Sequence, residues 1–206
     1  MFACIYQKNV YRQITVLLWQ LRVLPQALFS WDPDFFAQVS IIQRSLESLP
    51  HNLPTVVFSL DDLYLTHEDQ MDLAQRHPDN PLLQHRGQPS THDICLAKSV
   101  FSSLQRNAPT RIPQYNKAAF DGQGDRVAED QWQKVNFEGQ KIVRVVLFEG
   151  WCVGFRPLSR HDLKQKWEHA VTARKAGQYN GRLGLITLED VACINGALRE
   201  YDHITE

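Results

Sequence analysis

The sequence predicts an α/β fold, a parallel sheet flanked by helices, and three observations carry that prediction. Thr55-Val56-Val57-Phe58-Ser59-Leu60 and Ile142-Val143-Arg144-Val145-Val146-Leu147-Phe148 are short, β-branched, apolar runs, as expected of strands buried on both faces. Helical patterns lie between them, and parallel neighbours need such long crossovers. Both runs end in acids, Asp61 and Asp62 after the first and Glu149 after the second. Ligands of parallel sheets bind beyond the carboxyl ends of the strands.

Taken in order, residues 1–31 form an atypical N-terminal segment, and residues 32–206 read as one partial α/β domain. Asp32 can cap a helix with Pro33 at its first position, and Phe36, Val39, Ile42, Leu46 and Leu49 follow at helical spacing. Pro50 and Pro54 separate this helix from the first strand. Thr66 with Asp69 predicts a capped helix through about Arg76. Another helix begins near Thr91, read as its cap, and carries Ile94, Ala97, Phe101 and Leu104 on one face. A polar loop runs from about Asn107 to Asp130. Ser159 with Asp162, and Thr187 with Asp190, mark two further helix starts.

A chain of 206 residues, 43% hydrophobic, can bury a sizeable core. Its 22 basic and 23 acidic residues nearly cancel, so neither nucleic acid nor an anionic membrane is the expected partner. A small-molecule substrate is. Cys4, Cys95, Cys152 and Cys193 are scattered, with no C-x-x-C pair, and read as reduced, mostly buried thiols of a cytoplasmic protein. The apolar stretch Ile14 to Leu24 is interrupted by Gln20 and Arg22 and is too short to span a bilayer.

A carboxylate just past a buried strand can take a proton from a substrate hydroxyl or orient water on magnesium. Asp61 and Glu149 fit those tasks, although an acid there also commonly caps the next turn. Arg86-Gly87-Gln88-Pro89-Ser90-Thr91-His92-Asp93 packs a cation, a glycine and a His-Asp pair into one turn that suits an anionic substrate. In the plainer reading Thr91 is a cap and His92 lies on the surface. The stretch from Tyr115 to Arg126 adds Lys117, an aromatic hydroxyl and two glycines. Neither G-x-x-x-x-G-K-[ST] nor G-x-G-x-x-G occurs, so no standard phosphate cradle is encoded in these residues. G-x-S-x-G and H-E-x-x-H are absent too, which disfavours the common hydrolases. A magnesium hydrolase built on Asp61, Asp62 and Glu149 is weak, because carboxylates alone do not define an octahedral cage.

The run Phe58-Ser59-Leu60-Asp61-Asp62-Leu63-Tyr64-Leu65-Thr66-His67-Glu68-Asp69-Gln70 resembles the segment after the second strand in D-glycerate kinase-like proteins, relatives of uridine kinase, phosphoribulokinase and pantothenate kinase. Arg86 to Asp93, Tyr115 to Arg126 and Phe148 to Phe155 agree in the same order. The resemblance covers about residues 39–206 and implies a P-loop kinase-like parallel sheet that lacks the first strand and phosphate loop. It further implies ATP and Mg²⁺ as cofactors and transfer of the γ-phosphate to an alcohol of a sugar acid such as D-glycerate. Asp61 then matches the carboxylate that positions or deprotonates the acceptor hydroxyl, and Glu149 matches a magnesium-associated acid, both also metal candidates. Arg86, His92, Tyr115, Lys117 and Arg126 become substrate-binding candidates, arginine because its planar fork suits carboxylates.

Ser30-Trp31-Asp32-Pro33-Asp34-Phe35-Phe36-Ala37-Gln38 stands where relatives carry the phosphate loop, and it contains neither glycine nor lysine. Two expectations follow: an ATP-dependent kinase represented by a form truncated at both ends, or a non-catalytic small-molecule-binding or regulatory protein that no longer grips ATP.

Overall fold

A computed structural model of the chain describes residues 11–18, 26–30 and 35–205. In chain order the elements are β1 (Tyr11–Leu18), β2 (Gln26–Ser30), α1 (Phe35–Glu47), β3 (Thr55–Ser59), α2 (His67–Arg76), α3 (Ile94–Gln105) and β4 (Thr110–Ile112). There follow β5 (Tyr115–Asn116), β6 (Asp125–Arg126), β7 (Gln133–Val135), β8 (Val145–Gly150), α4 (Arg160–Lys175), α5 (Leu188–Ala197) and α6 (Asp202–Thr205).

The expected parallel pair is present, with β3 beside β8 and Ser59 opposite Glu149. The four-stranded sheet has the order β2-β1-β8-β3, and β1 lies antiparallel to both β8 and β2. Strands β1 and β2 thus extend the sheet on the far side of β8 and make it mixed.

Period-two alternation divides β8 between two helical layers. Val146 and Phe148 face the cluster of Val56, Phe58, Val100, Phe101 and Leu104, and Val145 and Leu147 face Val39 of α1. The Phe148 ring, fully buried, stands 5.0 Å from Phe58 and 5.1 Å from Phe101. Truncating such a ring to alanine costs about 3–5 kcal/mol. Leu198, Tyr201 and Ile204 close the same cluster from the C-terminal end. A second cluster, with Leu163, Ala170, Val191 and Ile194, joins α4 to α5.

Four expectations change in detail. Strand β8 starts at Val145, because Val143 N–H donates to Asn136 Oδ1 at 2.7 Å and Arg144 N–H turns to the Pro54 carbonyl at 2.8 Å. The cap of α3 is Asp93, whose carboxylate accepts from Leu96 N–H at 2.8 Å, and not Thr91, which is fully buried. The Thr91 hydroxyl instead accepts from Gly87 N–H and donates to the Gln88 carbonyl, which closes the preceding turn. The expected 107–130 loop contains β4, β5 and β6. Of the three described cysteines only Cys152 is buried; Cys95 and Cys193 are exposed.

Thr66, Ser159 and Thr187 cap α2, α4 and α5 as predicted, each accepting from the backbone N–H three residues on. The expected Asp32 cap lies outside the described residues. Among the described residues no helix is long and apolar enough to cross a membrane.

Candidate functional site

The end of β3 is built to hold one carboxylate outward. Ser59 N–H donates to Asp62 Oδ2 at 3.0 Å, while the Ser59 hydroxyl accepts from Asp61 N–H at 3.1 Å and donates to the Glu149 carbonyl at 3.5 Å. This capping box turns the chain into a 3₁₀ helix, Leu60–Leu63, anchored by two leucines with no exposed surface. Gly150 lets the turn approach, since a Cβ there would come within 2.6 Å of Leu60 Cβ. Asp62 is consumed by the turn, and burial pushes its pKa up.

Asp61 and Tyr64 are three residues apart, so a 3₁₀ turn stacks them on one side. The Tyr64 hydroxyl donates to Asp61 Oδ1 at 3.1 Å, and Lys117 Nζ meets Oδ2 at 2.7 Å. Burial and the Asp61 charge hold the Tyr64 phenol far above its usual pKa, so it remains a donor. Asp61, Tyr64, His67, His85, Arg86 and Lys117 face a cavity of ≈ 520 Å³.

Residues 117–124 form one wall of the cavity. Arg86 donates from Nη1 to the Gly122 carbonyl at 2.7 Å and to the Gln123 carbonyl, and from Nη2 to the Lys117 carbonyl at 3.4 Å. Its guanidinium lies over the Tyr115 ring, 5.7 Å from the centroid. On the other side the His67 ring stacks on Phe120 at 3.8 Å.

Of the predicted substrate residues, Arg86 and Lys117 reach the cavity with Asp61. Tyr115 lies behind Arg86. Arg126 donates to Asp93 Oδ2 at 3.0 Å and to the Tyr64 carbonyl at 2.9 Å, tying the cap of α3 to the site turn. His92 is buried rather than on the surface. Its ring stacks on Tyr64 at 4.4 Å, and Nδ1 shares a 2.6 Å hydrogen bond with the Tyr201 hydroxyl. Burial lowers the His92 pKa to about 3. The Glu149 side chain, 2% exposed, lies inside β8.

Asp61 and Glu149 do not come together as a magnesium pair, because the Glu149 side chain is buried and takes no part in lining the cavity. Among the described residues no three acids, histidines or cysteines are grouped to hold a metal. The stretch from Ser30 to Gln38 has no glycine or lysine for phosphates.

Sequence reasoning alone misses Tyr64, His67 and His85. For Tyr64 a signal exists: its i+3 spacing from Asp61, once a 3₁₀ turn is expected after the strand. His67 and His85 carry no local signal, since the fold alone brings them to the cavity.

No family model matches the chain. It is 47% identical over 109 residues to "Uncharacterized kinase mug58" of Schizosaccharomyces pombe, covering 52% of this chain and 38% of that protein. It is 36% identical over 132 residues to "Probable ATP-dependent kinase TDA10" of Saccharomyces cerevisiae, covering 60% and 42% respectively. The chain therefore spans less than half the length of these curated relatives. The solved D-glycerate 3-kinase from Cryptococcus neoformans superposes with a TM-score of 0.68 at 36% identity, over 79% of this chain and 54% of that one. The chain is thus similar in sequence to these kinases over part of their length and shares the P-loop-type α/β fold of the solved D-glycerate 3-kinase.

Proposed function

We propose that the chain carries the acceptor half of an ATP-dependent small-molecule kinase, and that the acceptor is a short hydroxy acid such as D-glycerate. The observation that carries this reading is the Asp61 carboxylate, held on the wall of the cavity between the Tyr64 hydroxyl and the Lys117 ammonium. A hydroxyl placed on Asp61 has a fixed oxygen within reach to take its proton, the task of a general base. The Lys117 ammonium beside it offers a counter-charge to the carboxylate of the same small molecule. Phosphoryl transfer needs little more from the acceptor side than such positioning.

A second reading, an acceptor-binding protein without catalysis, is favoured by one observation: the residues from Ser30 to Gln38 lack any phosphate grip. Calorimetry of the 206-residue chain with D-glycerate and with Mg-ATP tests both readings. D-Glycerate is expected to bind, and Asp61→Asn to weaken it roughly tenfold, the value of a hydrogen bond to a charged group. Mg-ATP is expected not to bind. Magnesium-dependent phosphorylation of D-glycerate would remove the non-catalytic reading, and failure of D-glycerate to bind would remove both.

A further inference from the structure

We infer that Arg86 is a positioning residue and not an anion ligand: it holds the 117–124 loop so that Lys117 meets the acid group of the acceptor. The inference rests on the acceptor-site reading above.

The end-on edge of the guanidinium, formed by Nη1 and Nη2, is already turned onto the loop. Nη1 and Nη2 both donate to backbone carbonyls, those of Gly122, Gln123 and Lys117. A carboxylate taking that edge would leave these carbonyls without their cation. The loop needs such a tie, because Phe120 and Asp121 have φ of 49° and 53°, in the left-handed region that costs energy outside glycine. Gly122 and Gly124 follow at 89° and 84°. A Cβ on Gly124 would come within 2.5 Å of the Tyr115 ring and 2.8 Å of Arg86 Nη1, so the guanidinium and the loop are fitted to each other. From the other side His67 N–H donates to Asp125 Oδ1 at 2.9 Å, and its Nε2 lies 3.2 Å from Gln123 Oε1.

Lys117 links this strut to the chemistry. Its carbonyl accepts from Arg86, and its ammonium, on a half-exposed side chain, pairs with Asp61. The other candidate cation, Arg126, is committed to Asp93 and does not line the cavity. Arg86 therefore acts through Lys117.

The test is a double-mutant cycle on D-glycerate affinity, read beside amide exchange of residues 117–124 and urea stability. Lys117→Met should weaken binding roughly tenfold with loop exchange unchanged. Arg86→Met should speed exchange in the loop and weaken binding, and the double variant should bind no worse than Lys117→Met alone, as for residues acting through one contact. Additive losses, or weakened binding by Arg86→Met with unaltered loop exchange, would overturn the inference. Should Arg86→Met not fold, Arg86→Lys is scored in the same way, since lysine keeps the charge but not the fork. If the parent chain takes up no D-glycerate, the acceptor reading falls, whereas loop exchange in the Arg86 variant still decides the strut.

Discussion

Two regions of this molecule differ sharply in what they offer a ligand. At the end of β3, Ser59, Asp61, Tyr64 and Lys117 are joined by hydrogen bonds of 2.7–3.1 Å, and the wall behind them is tied to Arg86. Around the start of α1 the residues from Ser30 to Gln38 offer two aspartates and no glycine or lysine. The first region gathers charged and hydroxyl groups around one cavity; the second contains neither of the residue types that grip phosphate. The two are separable, because the groups around Asp61 come from the turn after β3 and from the 117–124 loop, whereas a phosphate grip relies on a backbone nest at a helix start.

The sharpest way to break this contrast is to exchange the poor half. Replacing residues 1–38 with a strand and a G-x-x-x-x-G-K-[ST] loop should raise Mg-ATP affinity from no measurable binding at about 1 mM to the micromolar range, on the order of a thousandfold. D-Glycerate affinity should stay where it was. Micromolar Mg-ATP binding by the original chain would abolish the contrast.

The acceptor side should also be the acid-sensitive one. His92, stacked on Tyr64 and bonded to Tyr201, has its pKa lowered to about 3 by burial, against about 6.5 in the unfolded chain. The unfolded state therefore takes up a proton first. The stability contributed by neutral His92 is complete above about pH 6.5 and is lost as pH falls toward 3, on the order of 3–5 kcal/mol in all. Urea unfolding between pH 7.5 and 4 should show this slope, and His92→Phe, which keeps the stack, should flatten it. Equal slopes in both proteins would mean that the ring carries no such penalty.

Half of the contrast is legible in the amino-acid sequence. The apolar run after Pro54 and the acids beyond it mark β3 and Asp61, and the capping pairs at Thr66, Ser159 and Thr187 locate three helices, because these signals are local. What Arg86 and Arg126 bind is not legible. A guanidinium fork suits a substrate carboxylate, a backbone carbonyl or an aspartate equally well, and only the fold decides which one faces it. Thr91 misleads for a similar reason: threonine and aspartate both cap helices, and the geometry gives the cap to Asp93 and uses the threonine to close the turn before it. The strand pairing of β1 is illegible because its partner, β8, lies more than a hundred residues away in sequence.

The smallest effect asks whether the acceptor wall is a local device or merely reflects the stability of the whole domain. Ser159 caps α4, accepting from Asp162 N–H at 3.1 Å and donating to the Asp162 carboxylate at 2.7 Å, and it takes no part in lining the cavity. Ser159→Ala should cost about 1 kcal/mol in urea unfolding, the usual value of such a cap. If the wall is held by Arg86 and the His67 stack, D-glycerate affinity in this variant should stay within about twofold, since well-separated sites add independently. A loss as large as that from Arg86→Met would show that affinity follows global stability, and the network around Lys117 would then have no special part in it.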